Sequence, residues 1–131
     1  MGGVRRAMAE PPADGPTEEA EFLAQVRALK RGYALALPDK VEALARALGE
    51  DRRGGGAPTA TTLAHRLAGA AGSYGFPTLG RLARRIEHAL EALPAVTDLP
   101  GAWTAIEEAL GLARDEARAA RTVAEAAGPE A

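Results

Sequence analysis

Two helices and the turn between them are predicted by residues 62–87, TLAHRLAGAAGSYGFPTLGRLARRIE. Gly75 predicts the stop of the first helix, because glycine readily adopts the left-handed conformation that closes many helices. Pro77 predicts the start of the second, since proline fits a first helical turn. A link this short favours antiparallel neighbours. The second helix has inward apolar positions at Leu79, Leu82, Ala83, Ile86, Leu90 and Leu93.

Before this hairpin, apolar residues recur at spacings of three and four, the period of an amphipathic helix. Thr17 predicts the cap that starts this helix. The apolar positions are Phe22, Leu23, Val26, Leu29, Tyr33 and Leu37. Pro38 interrupts the pattern and predicts the start of a second segment that stops near Gly49. A full turn and a kink are both compatible with this proline.

Two stretches without helical signals predict loops, Glu50–Pro58 with its three consecutive glycines and Pro94–Gly101. Threonines that follow the first loop are candidate caps for the first helix of the hairpin. The predicted limits are Thr59 or Thr61 to about Tyr74, Pro77 to Leu93, and Gly101 or Ala102 to Ala126.

Helices that each carry one apolar stripe must bury those stripes against one another. We therefore expect an all-α fold, an antiparallel up-down-up-down four-helix bundle with an additional N-terminal helical segment. Its limits are residues 17–127, after a disordered lead-in over residues 1–16 and before a tail over residues 128–131. Aromatic core anchors are expected at Phe22, Tyr33 and Trp103.

Composition restricts the function classes. The chain has 131 residues, a net charge of -2 and no cysteine, so it is one domain without disulfides or thiol chemistry. The mixed charge argues against nucleic-acid binding as the main function. No apolar run is long enough for a transmembrane helix, and no signal peptide is recognisable. We therefore expect a cytoplasmic monomer with no membrane or nucleic-acid partner.

His65 is the candidate for chemistry. On a helical projection Leu63, Leu67 and Tyr74 lie about 160–180° from it, so the ring is expected to reach water. A neutral imidazole nitrogen is nucleophilic at physiological pH. The residues within about 60° of His65 on the helical projection all have short, uncharged side chains or none. They are Thr61, Thr62, Ala68, Gly69 and Gly72.

Glycines inside a helix cost about 1 kcal/mol each relative to alanine. Gly69 and Gly72 therefore indicate clearance, either for a partner protein that approaches His65 or for tight packing between helices. A surface histidine with no role remains an open alternative at this point.

Residues 64–87, AHRLAGAAGSYGFPTLGRLARRIE, resemble the signature of histidine phosphotransfer (Hpt) domains. That signature has His-x-Leu-Lys-Gly, small residues, a glycine that closes the helix, a leucine, and a helix ending in glutamate. The stretch LPDKVEALARAL upstream resembles the preceding helix of such proteins. The matching positions are His65, Leu67, Gly69, Ala70, Ala71, Gly75, Leu79 and Glu87.

The resemblance implies a phosphocarrier with no kinase activity of its own. Nε2 of His65 would accept a phosphoryl group from a receiver aspartyl phosphate or a sensor or hybrid kinase and relay it to a response-regulator receiver. No cofactor is expected on this chain, and magnesium is expected on the receiver. Leu67, Gly75 and Glu87 are expected to be structural. A bundle that docks on a receiver or kinase without phosphoryl transfer is the alternative.

One departure from the family pattern is Ala68, where the family often has lysine. The candidates to supply the missing positive charge are Arg66, which we favour, and Arg81, Arg84 or Arg85 of the next helix. The helix that follows offers a basic edge that can border the docking surface, at Arg81, Arg84 and Arg85. An ordinary solvated helix face remains the alternative for this cluster. His88 is expected to be solvated, and no metal-ligand spacing is recognisable.

Overall fold

A computed structural model describes residues 17–54 and 58–128 of the chain. The described residues form four α-helices and one short 3-10 turn. They are α1 (Glu18–Gly54), α2 (Pro58–Ser73), α3 (Pro77–Ala92), the 3-10 turn (Leu93–Ala95) and α4 (Leu99–Ala127). The predicted lead-in, residues 1–16, and residues 129–131 of the predicted tail lie outside this part of the chain.

The four helices pack as the predicted antiparallel bundle. α1 and α3 each contact both α2 and α4, so the helices surround one core. Two ion pairs show that α1 and α4 run antiparallel, because Glu42 pairs with Arg114 while the later Arg52 pairs with the earlier Glu107. The predicted fold class is confirmed. Among the described residues, no helix is both long and apolar enough to cross a membrane.

The core is aliphatic and rich in alanine. Trp103 is buried at one end, as predicted, with the Arg52 guanidinium 5.1 Å from its ring centre. The largest fully buried side chains come from α1, α3 and α4, which leaves α2 to contribute mainly alanines. These large side chains are Leu37, Val41, Leu44, Leu79, Ile86 and Ile106.

Of the two alternatives for Pro38, the full turn is wrong, because α1 runs through the proline as one helix. Proline has no N–H, so the hydrogen bond to the carbonyl of Ala34 is missing there. Leu37 and Val41 are both fully buried on either side of the proline. Burial of the flanking turns therefore holds the helix together across a local defect.

The predicted stop near Gly49 and the predicted loop from Glu50 are also wrong, because α1 continues to Gly54. Its last turns place the Asp51 carboxylate against the start of α2, where it accepts a hydrogen bond from the backbone N–H of Ala60 at 2.8 Å. This bond satisfies one of the free N–H groups at a helix start. A residue distant in sequence thus does part of the work expected of local threonines.

The other helix ends follow local signals. Thr17 accepts a hydrogen bond from the N–H of Ala20, which confirms the predicted cap of α1. α4 begins at Leu99, earlier than predicted, because Asp98 is its cap and accepts a hydrogen bond from the N–H of Gly101. An aspartate cap followed by proline in the first turn is a strong helix start, although the predicted start lay two or three residues later.

The α2–α3 turn has the predicted glycine closure. Gly75 has a φ of 87°, in the left-handed region. The N–H of Phe76 donates to the carbonyl of Ala71, and the N–H of Gly75 donates to the carbonyl of Gly72. This pair of bonds is the Schellman motif, which ends α2 and reverses the chain into α3.

The N-terminal part of α1 extends past the bundle. Residues 18–30, which we call the arm, are all exposed. Phe22 is 63 % exposed, so the prediction that it is a core anchor is wrong. Tyr33, just after the arm, is half-buried and stacks on Tyr74 with 4.5 Å between ring centres. Periodicity predicted the apolar stripe correctly, but the stripe is longer than the helices available to cover it.

Candidate functional site

α2 and α3 approach each other closely beside His65. Gly80 of α3 faces the backbone of α2, and a Cβ at this glycine would lie 3.3 Å from the carbonyl oxygen of Ala68 and 3.4 Å from the backbone nitrogen of Gly72. Such distances are shorter than most Cβ contacts, so a side chain here would push the two backbones apart by a few tenths of an ångström. Gly80 therefore permits the close contact, and the sequence analysis did not single it out.

The inward face of α2 differs from the predicted one. Ala68 is only 3 % exposed, so it lies in the α2–α3 contact and not on the exposed surface beside His65. Leu63 and Tyr74, expected to be the buried stripe, are only partly buried. The buried positions are Ala60, Ala64, Leu67, Ala68 and Ala71. Alanines form the contact because larger side chains would hold the two backbones apart.

His65 stands at the edge of this contact, with its side chain 72 % exposed. Its Nδ1 lies 2.6 Å from Oε2 of Glu87, which projects from α3. Glu87 itself is buried, with 8 % of its surface exposed. One ring nitrogen is thus held by a buried carboxylate while most of the ring faces water.

This geometry selects a tautomer. A carboxylate only accepts hydrogen bonds, so in the neutral ring Nδ1 carries the proton and donates it to Glu87. Nε2 then carries the lone pair. The carboxylate also favours positive charge on the ring if Nε2 acquires a substituent. The arrangement suits Nε2 as a nucleophile.

The surface beside His65 is open. Thr62, Gly69 and Gly72 are exposed, and a Cβ on either glycine would meet nothing within 4 Å. Gly69 therefore does not serve tight packing between helices, which was one of the two explanations for these glycines. Gly72 does lie against Gly80 through its backbone.

The predicted arginines lie at different places around the site. Since α2 and α3 are antiparallel and Glu87 is opposite His65, Arg84 lies three residues back on α3, opposite Ala68. Helical geometry places Arg84 about 60° from Glu87, on the exposed side. Arg81 and Arg85 lie about 120° and 160° from Glu87. All three are exposed.

Arg66, which the sequence analysis favoured, is exposed on α2. It lies about 100° from His65 on the side away from α3. Arg66 therefore lies on the side of α2 away from the contact between His65 and Glu87.

The contact with Glu87 is what sequence reasoning missed, since Glu87 was expected to be only structural. The sequence does carry a signal for this contact, because Glu87 is a charged residue on the inward side of α3, two turns after Gly80. His88, the next residue, is exposed as expected. Within residues 17–54 and 58–128, no group of three or more histidine, aspartate or glutamate side chains is placed to hold a metal ion.

Comparison with known families identifies the family of this bundle. The family model of the Hpt domain matches residues 20–123, well over half of the chain. The chain belongs to the Hpt domain family. An Hpt domain is a phosphotransfer module of two-component systems, a phosphocarrier that interacts with receiver domains and kinases in phosphorelays. No curated protein and no solved structure matches the chain.

The Glu87 contact in this Hpt domain gives a first prediction. Glu87→Ala removes the acceptor, and we expect the ratio of Nδ1–H to Nε2–H tautomer in neutral His65 to fall about tenfold or more, since a hydrogen bond to a charged group contributes about 1.5–3 kcal/mol. Nitrogen chemical shifts of ¹⁵N-labelled His65 measure this ratio. Glu91→Ala is the matched control, because it removes an exposed carboxylate one turn later on α3 and should leave the ratio unchanged. Equal tautomer ratios in wild type and Glu87→Ala would contradict the assignment.

Proposed function

We propose that His65 is the phosphoryl acceptor of this Hpt domain and that it relays the group between a donor and a response-regulator receiver. The observation that carries the proposal is the 2.6 Å bond from Nδ1 to the buried Glu87, which directs the Nε2 lone pair away from the bundle. The ring is 72 % exposed, as a group that enters a partner's active site must be.

The transfer step follows from this geometry. The Nε2 lone pair attacks the phosphorus of a receiver aspartyl phosphate, the P–N bond forms, and the P–O bond to the aspartate breaks. The aspartate leaves as a carboxylate with the bonding electron pair. The ring becomes a phosphorylated imidazolium that keeps its Nδ1 proton, and Glu87 stabilises its positive charge. The reverse step passes the group to another receiver.

The receiver supplies the remaining catalytic groups, including its magnesium ion. On this chain, Thr62, Gly69 and Gly72 leave a low surface over which a receiver can approach. The basic edge of α3, which is Arg81, Arg84 and Arg85, attracts the acidic pocket of a receiver during encounter.

Arg84 takes the place of the lysine that the family often has at position 68. Position 68 is buried here and holds an alanine, while Arg84 lies opposite it on the exposed side of Glu87. A guanidinium there stabilises the phosphoryl oxygens through charge-assisted hydrogen bonds. This assignment replaces Arg66 as the favoured candidate.

Phosphoryl uptake tests the proposed acceptor. The full chain is incubated with a ³²P-phosphorylated receiver or a cognate kinase, and we expect a label that is labile to acid and stable to base, as phosphohistidine is. His65→Gln should abolish the label. His88→Gln is the matched control and should keep it.

Two results would contradict the proposal. Label retained by His65→Gln would place the acceptor elsewhere. A wild-type chain that binds a receiver but takes up no label from it or from the kinase would favour docking without transfer.

Arg84 provides a second test. We expect Arg84→Ala to slow phosphoryl transfer from a receiver about three- to tenfold, the range for one partly solvated charge interaction. Arg85→Ala, on the same helix but about 160° from Glu87, removes the same net charge and should slow transfer less. Stopped-flow or quenched-flow transfer assays at one salt concentration compare the two. Equal effects of both substitutions would show that net charge, and not the position of Arg84, matters.

A further inference from the structure

The arm presents an apolar stripe that the bundle does not cover. Phe22, Val26 and Leu29 follow one another at spacings of four and three, and they are 63 %, 43 % and 60 % exposed. Leu23, beside this stripe, is 43 % exposed. Spacings of four and three are those of the contact positions in a coiled coil. We propose that two copies of this chain associate through their arms as an antiparallel dimer, in place of the monomer expected from the sequence.

The arm is free because the bundle ends beside it. Ala127, the last residue of α4, lies thirteen residues beyond Arg114. Glu42 of α1 is the ion-pair partner of Arg114. Because the two helices are antiparallel, the residue of α1 beside Ala127 lies thirteen residues before Glu42, at Leu29. Most of the arm, about 20 Å long at 1.5 Å per residue, thus projects past α4. An antiparallel pair of arms therefore keeps the two bundles at opposite ends.

The charges of the arm indicate which orientation a second copy takes. Its first turn is acidic, with Glu18, Glu19 and Glu21, and its far end is basic, with Arg27 and Lys30. No ion pair joins any of these five to another residue in the described part of the chain. A parallel pair would place like charges together, whereas an antiparallel pair places the acidic end of each arm beside the basic end of the other.

Full overlap of the arms also sets the register. With residue 18 of one copy opposite residue 30 of the other, Phe22 of each copy packs beside Val26 of the other. Glu19, Leu23 and Lys30 lie about 60°, 100° and 80° from Phe22, on one edge of the stripe. A two-fold axis brings the same edges of both helices together. Glu19 of each copy then meets Lys30 of the other, and the two Leu23 side chains meet near the axis.

A groove at the base of the arm completes the fit. Its volume is about 540 Å³, and three basic side chains of α1, Arg27, Lys30 and Arg31, line it against one acidic side chain of α4, Glu116. Phe76 and alanines of α4 complete the lining. The Lys30 ammonium lies 5.4 Å from the Phe76 ring centre. The acidic first turn of the second arm reaches this basic rim in the register above.

The dimer leaves phosphoryl transfer possible, because His65 lies eight residues before the end of α2, about 12 Å from the turn near the arm. Four exposed apolar side chains offer less than the about 800 Å² per partner of a standard interface. We therefore expect a reversible dimer that is populated at high protein concentration.

Sedimentation of the full chain from about 1 µM to about 1 mM tests the dimer. We expect the average mass to rise toward that of two chains. Val26→Glu should weaken association at least tenfold, because it places a charge against Phe22. Leu112→Glu, at an exposed leucine outside the arm, is the matched control and should leave association unchanged. A chain that stays monomeric over the whole range, or a Val26→Glu variant that associates like wild type, would overturn the dimer.

Charge exchange tests orientation and register. Glu19→Lys and Lys30→Glu should each weaken self-association, because each places like charges together. An equimolar mixture of the two variants should associate again, since both contacts then pair opposite charges. A mixture that associates no better than either variant alone would overturn the antiparallel register. Phosphoryl uptake by Val26→Glu is measured in parallel and should be unchanged, so failure of the dimer is distinguishable from failure of the proposed function.

Discussion

The close approach of α2 and α3 is the constraint on which the site depends. It requires small residues on both sides, with Gly80 of α3 against the backbone at Ala68 and Gly72. At this separation the Glu87 carboxylate lies 2.6 Å from Nδ1 of His65 while its own side chain stays buried. The same contact buries position 68, which moves the candidate for the positive charge from α2 to Arg84 on α3. Helix packing and site chemistry are thus set by one interface.

Electrostatics at the site favours one role for each group. Glu87 is buried beside a ring that is largely in water, so the carboxylate orients the ring and the solvent side remains free for reaction. A buried carboxylate left without its partner would be costly. This mutual dependence favours one orientation of the His65 ring. Under the proposed function, it lowers the cost of arranging the nucleophile before transfer.

Much of the fold could be predicted because its signals are local. The cap at Thr17, the closure at Gly75 and the start at Pro77 each depend on a few neighbouring residues. The continuity of α1 through Pro38 could not be predicted in this way, since burial of Leu37 and Val41 outweighs the loss of one backbone hydrogen bond at the proline. Likewise, the stripe through Phe22 was visible as periodicity, but where the bundle ends depends on the lengths of the other helices.

The site shows the same division. His65 and its open surroundings followed from residue types and spacing, whereas the burial of Ala68 and the contact with Glu87 depend on how two helices are rotated against each other. A helical projection of α2 alone placed its inward face too close to Leu63 and Tyr74. Alanines lie on several sides of α2, so its sequence does not define the limits of the apolar face. Packing against α3 determines which of these alanines are buried.

The position of the phosphoryl group on the ring tests the central claim most directly. The chain is phosphorylated with ¹⁵N-labelled histidine, and nitrogen–phosphorus coupling identifies the nitrogen that carries the phosphorus. We expect the group on Nε2 of His65, with the Nδ1 proton still bonded to Glu87. A phosphoryl group on Nδ1, or on any residue other than His65, would contradict the role of the Glu87 contact.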